Sequence, residues 1–140
     1  MFDVILLAVD GSEHGQRAAQ LAANLVRMVG ARELRIVVAF DPVPSFLGEP
    51  NLSQVITARM REAEQIMEDT RAALGETGAQ LHTEILEGPP AEAILKVAAT
   101  RRTNLIVMGS RGLGRLQGAL LGSNSQKVVS LAPCPVLIVR

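Results

Sequence analysis

A glycine-rich segment in the last third of the chain has the residue types that bind phosphate. It opens with Gly109-Ser110-Arg111-Gly112 and closes with Gly122-Ser123-Asn124-Ser125, where a helix is predicted to begin. Glycines let backbone N–H groups approach an anion closely, and the first turn of a helix adds unpaired N–H donors. The serines of the second stretch add hydroxyl donors, and Arg111 and Arg115 add positive charge or lie in solvent. The segment therefore predicts a site for a phosphate-bearing ligand.

Two familiar phosphate-binding motifs do not account for this spacing. Gly109 and Gly114 have the separation found in a P-loop, but Arg and Leu follow where that motif needs Lys and then Ser or Thr. A dinucleotide fingerprint starting at Gly112 needs a glycine where Gln117 stands. The pattern that is present is Gly-x2-Gly-x9-Gly-Ser, over residues 109–123.

The elements that position this segment are alternating strands and helices. Continuously apolar or strand-like runs predict strands at 4–9, 34–40, 80–86, 105–108 and 136–139. The predicted helices run from a cap at Ser12 to Gly30, from a cap at Ser53 to Gly75, from the prolines at 89 and 90 past Ala98, and from Ser123 to Leu131. Such alternation predicts an α/β fold, a doubly wound parallel five-stranded sheet with helices on both faces.

A sheet of this kind binds ligands where the carboxyl ends of its strands meet. Asp10-Gly11-Ser12 follows the first predicted strand, and the glycine-rich segment follows the fourth. We therefore expect both at one ligand site, although Asp10 could instead only cap the turn after its strand.

The spacing of apolar residues also predicts which helix faces are buried. On the first helix the predicted buried residues are Ala18, Leu21, Ala22, Leu25 and Val29. The second helix carries a run of charges that we interpret as a solvated face with local ion pairs, formed by Arg59, Arg61, Glu62, Glu64, Glu68, Asp69 and Arg71.

Composition excludes several classes of protein. The 140 residues suit one domain, and 14 basic residues balance 14 acidic ones, which argues against nucleic-acid binding driven by bulk charge. The chain has no Trp or Tyr for base stacking. Its single cysteine, Cys134, excludes an intrachain disulfide, and we interpret His14 and His82 as surface or partly buried side chains. No apolar run approaches the ~20 residues of a membrane span. We expect a cytoplasmic protein with no signal peptide and no membrane partner.

Taken together, these motifs resemble the universal stress protein family. Its ATP-binding members carry Gly-x2-Gly-x9-Gly-(Ser/Thr), which residues 109–123 match. The resemblance also covers the segments Ile5–Ser12 and Leu105–Gly112 and the end of the chain, 132–140. It therefore spans residues 1–140 as one nucleotide-binding domain. Asn104 stands where the family often has an acid, and Asn124 where it often has valine.

The resemblance implies ATP as the ligand, with Mg²⁺ or Mn²⁺ on its phosphates. It implies that Asp10 hydrogen-bonds the ribose or adenine side, that Ala39 packs near adenine, and that Gly122 belongs to the phosphate cradle. The role of Asn124 stays open between a nucleotide contact and solvent. The complete implied site is Ala8, Val9, Asp10, Ala39, Met108, Gly109, Arg111, Gly112, Gly122, Ser123, Asn124 and Ser125.

Three functions fit these observations. The first is an ATP-binding stress or regulatory protein whose nucleotide changes its affinity for a partner protein. The second is an enzyme, at most a slow ATPase or a nucleotidyl transferase, although fast hydrolysis would need a water-positioning residue and a cationic clamp. The third is a nucleotide-free dimeric scaffold. The resemblance implies the strand order 3-2-1-4-5, which makes 136–139 an apolar edge strand, and we expect a homodimer to form there.

Overall fold

Strands and helices alternate along the chain. The structure is a computed structural model that describes residues 1–111 and 121–140. Its strands are β1 (Val4–Ala8), β2 (Glu33–Phe40), β3 (Gln80–Glu87), β4 (Leu105–Gly109) and β5 (Val136–Val139). Its helices are α1 (Glu13–Val29), α2 (Asn51–Leu74), α3 (Pro90–Thr100) and α4 (Ser123–Leu131), with a short 3-10 helix at Ser45–Leu47.

The five strands form one parallel sheet in the order β3-β2-β1-β4-β5, so the predicted fold class and strand order are confirmed. Helices cover both faces. Ile5 and Leu7 of β1 pack with α1 and α2 on one face, whereas Leu6 and Ala8 pack with α3 and α4 on the other. Because β1 is buried on both faces, its sequence is apolar without alternation.

The first helix begins and ends where the sequence predicts. The Ser12 hydroxyl accepts a hydrogen bond from the Gly15 N–H at 3.1 Å, and Gly30 ends α1 in the left-handed conformation with φ 67°. The predicted Ser53 cap of α2 is wrong. That helix begins at Asn51 after Pro50, whose backbone is already close to helical, and the Ser53 hydroxyl donates to Glu49 Oε1 at 2.7 Å.

The buried face of α1 differs from the predicted one. Leu21 and Val29 are 41% and 44% exposed. The residues that meet the sheet are mostly small, because alanines let the helix axis lie close to the strands, and they are Ala18, Ala19, Ala22, Ala23 and Val26.

Asn104, just before β4, hydrogen-bonds to the start of β1 at the amino-terminal end of the sheet. Its side-chain Oδ1 accepts from the N–H groups of Asp3 at 3.0 Å and Val4 at 2.7 Å, and its own N–H donates to the Val4 carbonyl at 2.8 Å. An amide oxygen thus fills the acceptor role that a carboxylate could fill there. The contacts lie at the opposite end of the strands from the predicted ligand site.

Within the two described ranges, none of the helices is both long enough and apolar enough to cross a membrane.

Candidate functional site

A cavity of about 430 Å³ opens at the carboxyl ends of β1, β2 and β4. Its volume falls in the usual range for small-molecule sites. The floor is the end of the sheet, and the start of α4 closes one side. Helices α2 and α3 contribute the remaining walls. The cavity therefore lies at the switch point in strand order, where β1 has β2 on one side and β4 on the other.

The structure brings the predicted site residues together around this cavity. Gly112, like Arg115, lies outside the described residues. The other eleven line the cavity, namely Ala8, Val9, Asp10, Ala39, Met108, Gly109, Arg111, Gly122, Ser123, Asn124 and Ser125. Their convergence from three strand ends and one helix start agrees with the resemblance, and their contact with a nucleotide stays a prediction.

The start of α4 is held against the end of β4 by two hydrogen-bond donors, the Gly122 N–H and the Ser125 hydroxyl. The Gly122 N–H donates to the Ser110 carbonyl at 2.7 Å, and the buried Ser125 hydroxyl lies 3.0 Å from the carbonyl oxygens of both Gly109 and Ser110. Because the first helical hydrogen bond of α4 is that of Gln126, the N–H groups of Ser123, Asn124 and Ser125 have no acceptor within the helix.

The turn after β1 lies at the cavity and contacts the segment that follows β4. Asp10 Oδ1 accepts from the Ser12 N–H at 3.0 Å, so the carboxylate caps the turn while it also lines the cavity. The Ser12 hydroxyl, besides capping α1, lies 3.4 Å from the Arg111 carbonyl oxygen. The ligand-binding and turn-capping interpretations of Asp10 are therefore compatible.

Gly109 lets α1 lie directly against the end of β4. A Cβ atom at Gly109 would lie 2.7 Å from His14 Cβ, 2.8 Å from the His14 carbonyl carbon and 2.9 Å from the Gly15 nitrogen. No side chain fits that space without movement of the backbone. The glycine that opens the motif therefore has a packing role as well as its predicted role beside the nucleotide.

Half-buried His14 makes a specific contact. Its ring Nδ1 lies 2.7 Å from the hydroxyl oxygen of Ser110, which is itself 2% exposed. The sequence interpretation of a partly buried polar side chain agrees with its burial, and the partner could not be predicted from spacing.

Asn124 binds the start of α3. Its Oδ1 accepts from the Ala91 N–H at 3.2 Å, which gives this backbone donor in the first turn of α3 a partner. The residue also lines the cavity. Its side chain therefore has a protein partner, an outcome that the choice between nucleotide and solvent did not include.

Sequence reasoning missed the contribution of α2. The interpretation of its charged residues as a wholly solvated face was incomplete, because Arg59 and Glu62 line the cavity. The signal that could have identified them is their helical spacing with an apolar pair, since the four residues at i, i+3, i+4 and i+7 are Arg59, Glu62, Ala63 and Ile66. The other lining residues that the implied set of site residues did not include are Ser12, Gly15, Val37, Val38, Phe40, Asp41, Pro90 and Ile94.

Residues 1–111 and 121–140 contain no group of three or more His, Cys, Asp and Glu side chains that could hold a metal ion. The acidic residues that line the cavity are Asp10, Asp41 and Glu62. A divalent cation would therefore depend on ligands other than a protein-built cage in this part of the chain.

Comparison with known proteins gives consistent matches. A profile of the universal stress protein family matches residues 1–140. A Thermus aquaticus protein described as a universal stress protein in the QAH/OAS sulfhydrylase 3′ region is 47% identical over 140 residues, which cover all of both chains. The structure of universal stress protein UspA from Lactobacillus plantarum is 30% identical, with a TM-score of 0.88 over 99% of this chain and 98% of that one. A universal stress protein in complex with cAMP is 25% identical, with a TM-score of 0.65 over 99% and 97% of the two chains.

Proposed function

The chain belongs to the universal stress protein family, and from that premise we propose that it binds ATP in the cavity at the carboxyl ends of β1, β2 and β4. The observation that carries the proposal is the convergence of eleven residues, predicted from the glycine motif and the family resemblance, on one cavity. The related structure that contains cAMP supports an adenine nucleotide as the class of ligand.

The two ends of the cavity suit the two ends of a nucleotide. The end of β2 supplies apolar residues, including Ala39 and Phe40, and these suit a nucleobase. Asp10 supplies a carboxylate acceptor for a ribose hydroxyl. The phosphates go to the opposite side, where the N–H groups of the first turn of α4 and the Arg111 side chain favour negative charge.

A divalent cation fits this site as a companion of the phosphates. Mg²⁺ is usually held by substrate phosphates and water with one or two carboxylates, and not by an all-protein cage. When bound, the cation would neutralise part of the phosphate charge.

The proposed role of ATP is regulatory. A ligand that binds only one conformation of the α4 start would favour that conformation in proportion to its differential affinity. The affinity of a partner protein that contacts this region would then depend on whether the nucleotide is bound.

We also propose that two copies pair through β5. This strand is an edge of the sheet, and all four of its residues, Val136–Val139, are only half-buried in the single chain. An open apolar edge favours pairing with another chain. Sedimentation at micromolar protein concentration should therefore give a dimer, and a monomer there would contradict the proposal.

The test of ATP binding is calorimetry with Mg²⁺ on protein freed of bound nucleotide, in the native form and as Gly122→Val. Gly122 has φ −69° and ψ 164°, which a valine adopts without strain, so this change tests crowding of the phosphate path. The matched control is Ala132→Val, at the other end of α4, where φ is −62° and ψ is 141°. We expect micromolar binding by the native and control proteins and none by Gly122→Val. No binding by the stripped native protein would refute the proposal.

A further inference from the structure

We propose that His14 is a positioning residue for the phosphate end of the cavity. It holds the side chain of Ser110, and through Ser110 it holds the start of α4 in place to receive the phosphates. The inference rests on the proposed function for its ligand.

The position of His14 is itself fixed by packing. The glycine at 109 lets the backbone of α1 approach β4 so closely that an added Cβ would lie within 2.8 Å of two His14 atoms. The first turn of α1 therefore cannot move closer to β4. From this fixed position the His14 ring reaches the Ser110 hydroxyl with a short hydrogen bond of 2.7 Å.

Ser110 is the point where three elements meet. Its N–H donates to the carbonyl of Val139, the last residue of β5, at 2.7 Å. Its carbonyl accepts from the Gly122 N–H at 2.7 Å and from the Ser125 hydroxyl at 3.0 Å. The backbone of Ser110 thus connects β5 with the start of α4, and its side chain connects both with α1.

A second side-chain link between α1 and this segment is weaker. The Ser12 hydroxyl lies 3.4 Å from the Arg111 carbonyl, close to the upper limit for a hydrogen bond, and the same hydroxyl already caps α1. The bond between His14 and Ser110 is therefore the stronger of the two. Loss of this bond would leave the buried Ser110 hydroxyl without this partner. The Ser110 carbonyl, which accepts the hydrogen bond from the Gly122 N–H, would then be held less firmly.

Preorganised donors bind an anion more tightly than donors that must first be ordered. We therefore expect His14→Ala to weaken ATP binding by a factor between about two and ten, the usual effect of one hydrogen bond. The affinity for adenosine, which has no phosphate, should change by less than about twofold because the nucleobase end keeps its residues. A general loss of structure would instead weaken both ligands.

The decisive variant is His14→Asn. The asparagine amide places a polar atom close to where the ring Nδ1 stands, so it can bond the Ser110 hydroxyl without an imidazole. We expect it to restore ATP affinity. Ser110→Ala should weaken ATP binding as much as His14→Ala, and the double variant should add nothing further. The matched control is Gln16→Ala, an exposed change in the same turn of α1.

The experiment measures calorimetric affinities for Mg²⁺-ATP and adenosine, together with hydrogen exchange of the Gly122 amide in the nucleotide-free proteins. Faster exchange at Gly122 in His14→Ala, reversed in His14→Asn, supports the positioning role. Unchanged ATP affinity in His14→Ala overturns it while the proposed function stands. Equal weakening in the alanine and asparagine variants also overturns it. If native protein binds no ATP, the proposed function fails, and unchanged Gly122 exchange then refutes the positioning role separately.

Discussion

The close approach of α1 to β4 predicts that Gly109→Ala is strongly destabilising. The added methyl carbon would lie 2.7 Å from His14 Cβ, 2.8 Å from the His14 carbonyl carbon and 2.9 Å from the Gly15 nitrogen. These atoms belong to the helix backbone or are bonded directly to it, so no side-chain rotation relieves the contact. Either α1 or β4 must move.

The size of the effect follows from these contacts. Overpacking a core usually costs about 1–3 kcal/mol, and we expect about 3 kcal/mol here because backbone must shift. Unfolding entropy is about 2.1 cal/mol/K per residue near 60 °C, which for this chain amounts to about 0.3 kcal/mol/K. The midpoint of thermal unfolding should therefore fall by about 10 °C.

The assay is thermal unfolding followed by circular dichroism, with Gly15→Ala as the control. At Gly15 an added Cβ would meet Ser12 Oγ at 3.3 Å and Asp10 Oδ1 at 3.4 Å, contacts that small side-chain shifts relieve. Alanine also favours the helix by about 1 kcal/mol over glycine. We expect the control to unfold within about 3 °C of the native protein. A Gly109→Ala protein with an unchanged midpoint would show that α1 does not lie against β4 in this way.

Three further predictions concern other parts of the molecule. Asn104→Ala removes the acceptor of two N–H groups and should lower the free energy of unfolding in urea by about 1–2 kcal/mol, whereas Asn104→Asp should keep most of it; equal stability of the native and alanine proteins would contradict this. Burial alone would raise the pKa of the Glu33 carboxyl, but the hydrogen bond and charge of Arg32 bring the pKa below its ordinary value of 4.5. The folded pKa then lies below the unfolded one, so this stabilisation is present above pH 4.5 and is lost as the pH falls through the folded pKa. The free energy of unfolding should accordingly fall less steeply with decreasing pH in Glu33→Gln than in the native protein. Identical pH dependence of the two proteins would show that ionised Glu33 does not contribute to stability. Burial raises the pKa of the Cys134 thiol despite a hydrogen bond from the Ile106 backbone, so its alkylation at pH 8 should be slower than that of a free thiol, and an equal rate would contradict its burial.

Local signals in the sequence were enough to predict the architecture. β1 is continuously apolar because both of its faces are buried, and Ser12 and Gly30 have the chemistry of helix ends. These features depend only on residues close together in the chain. The ligand cavity could also be located, because parallel strands bring their carboxyl ends to one edge whatever the details of packing.

The features that could not be predicted depend on how separate elements lie against each other. Arg59 and Glu62 look like any exposed charges until α2 is placed beside the end of β2. Asn124 binds the α3 start because α3 and α4 are neighbours on one face of the sheet. The spacing of Gly109 indicated phosphate chemistry, but its contact with α1 became visible only in three dimensions.

The pairing of β1 with β4 has a consequence for the order of folding during synthesis. Val4 and Asn104, which hydrogen-bond each other, are 100 residues apart in the chain, whereas β2 and β3, the strands on the other side of β1, both precede residue 90. A nascent chain can therefore pair β1 with β2, and β2 with β3, while the other edge of β1 has no partner. That edge belongs to a strand whose five residues are all apolar and all buried in the folded protein. Until residues 105–109 leave the ribosome, the unpaired backbone groups along this edge of β1 are exposed. Chaperones or neighbouring nascent chains can bind the edge during this interval.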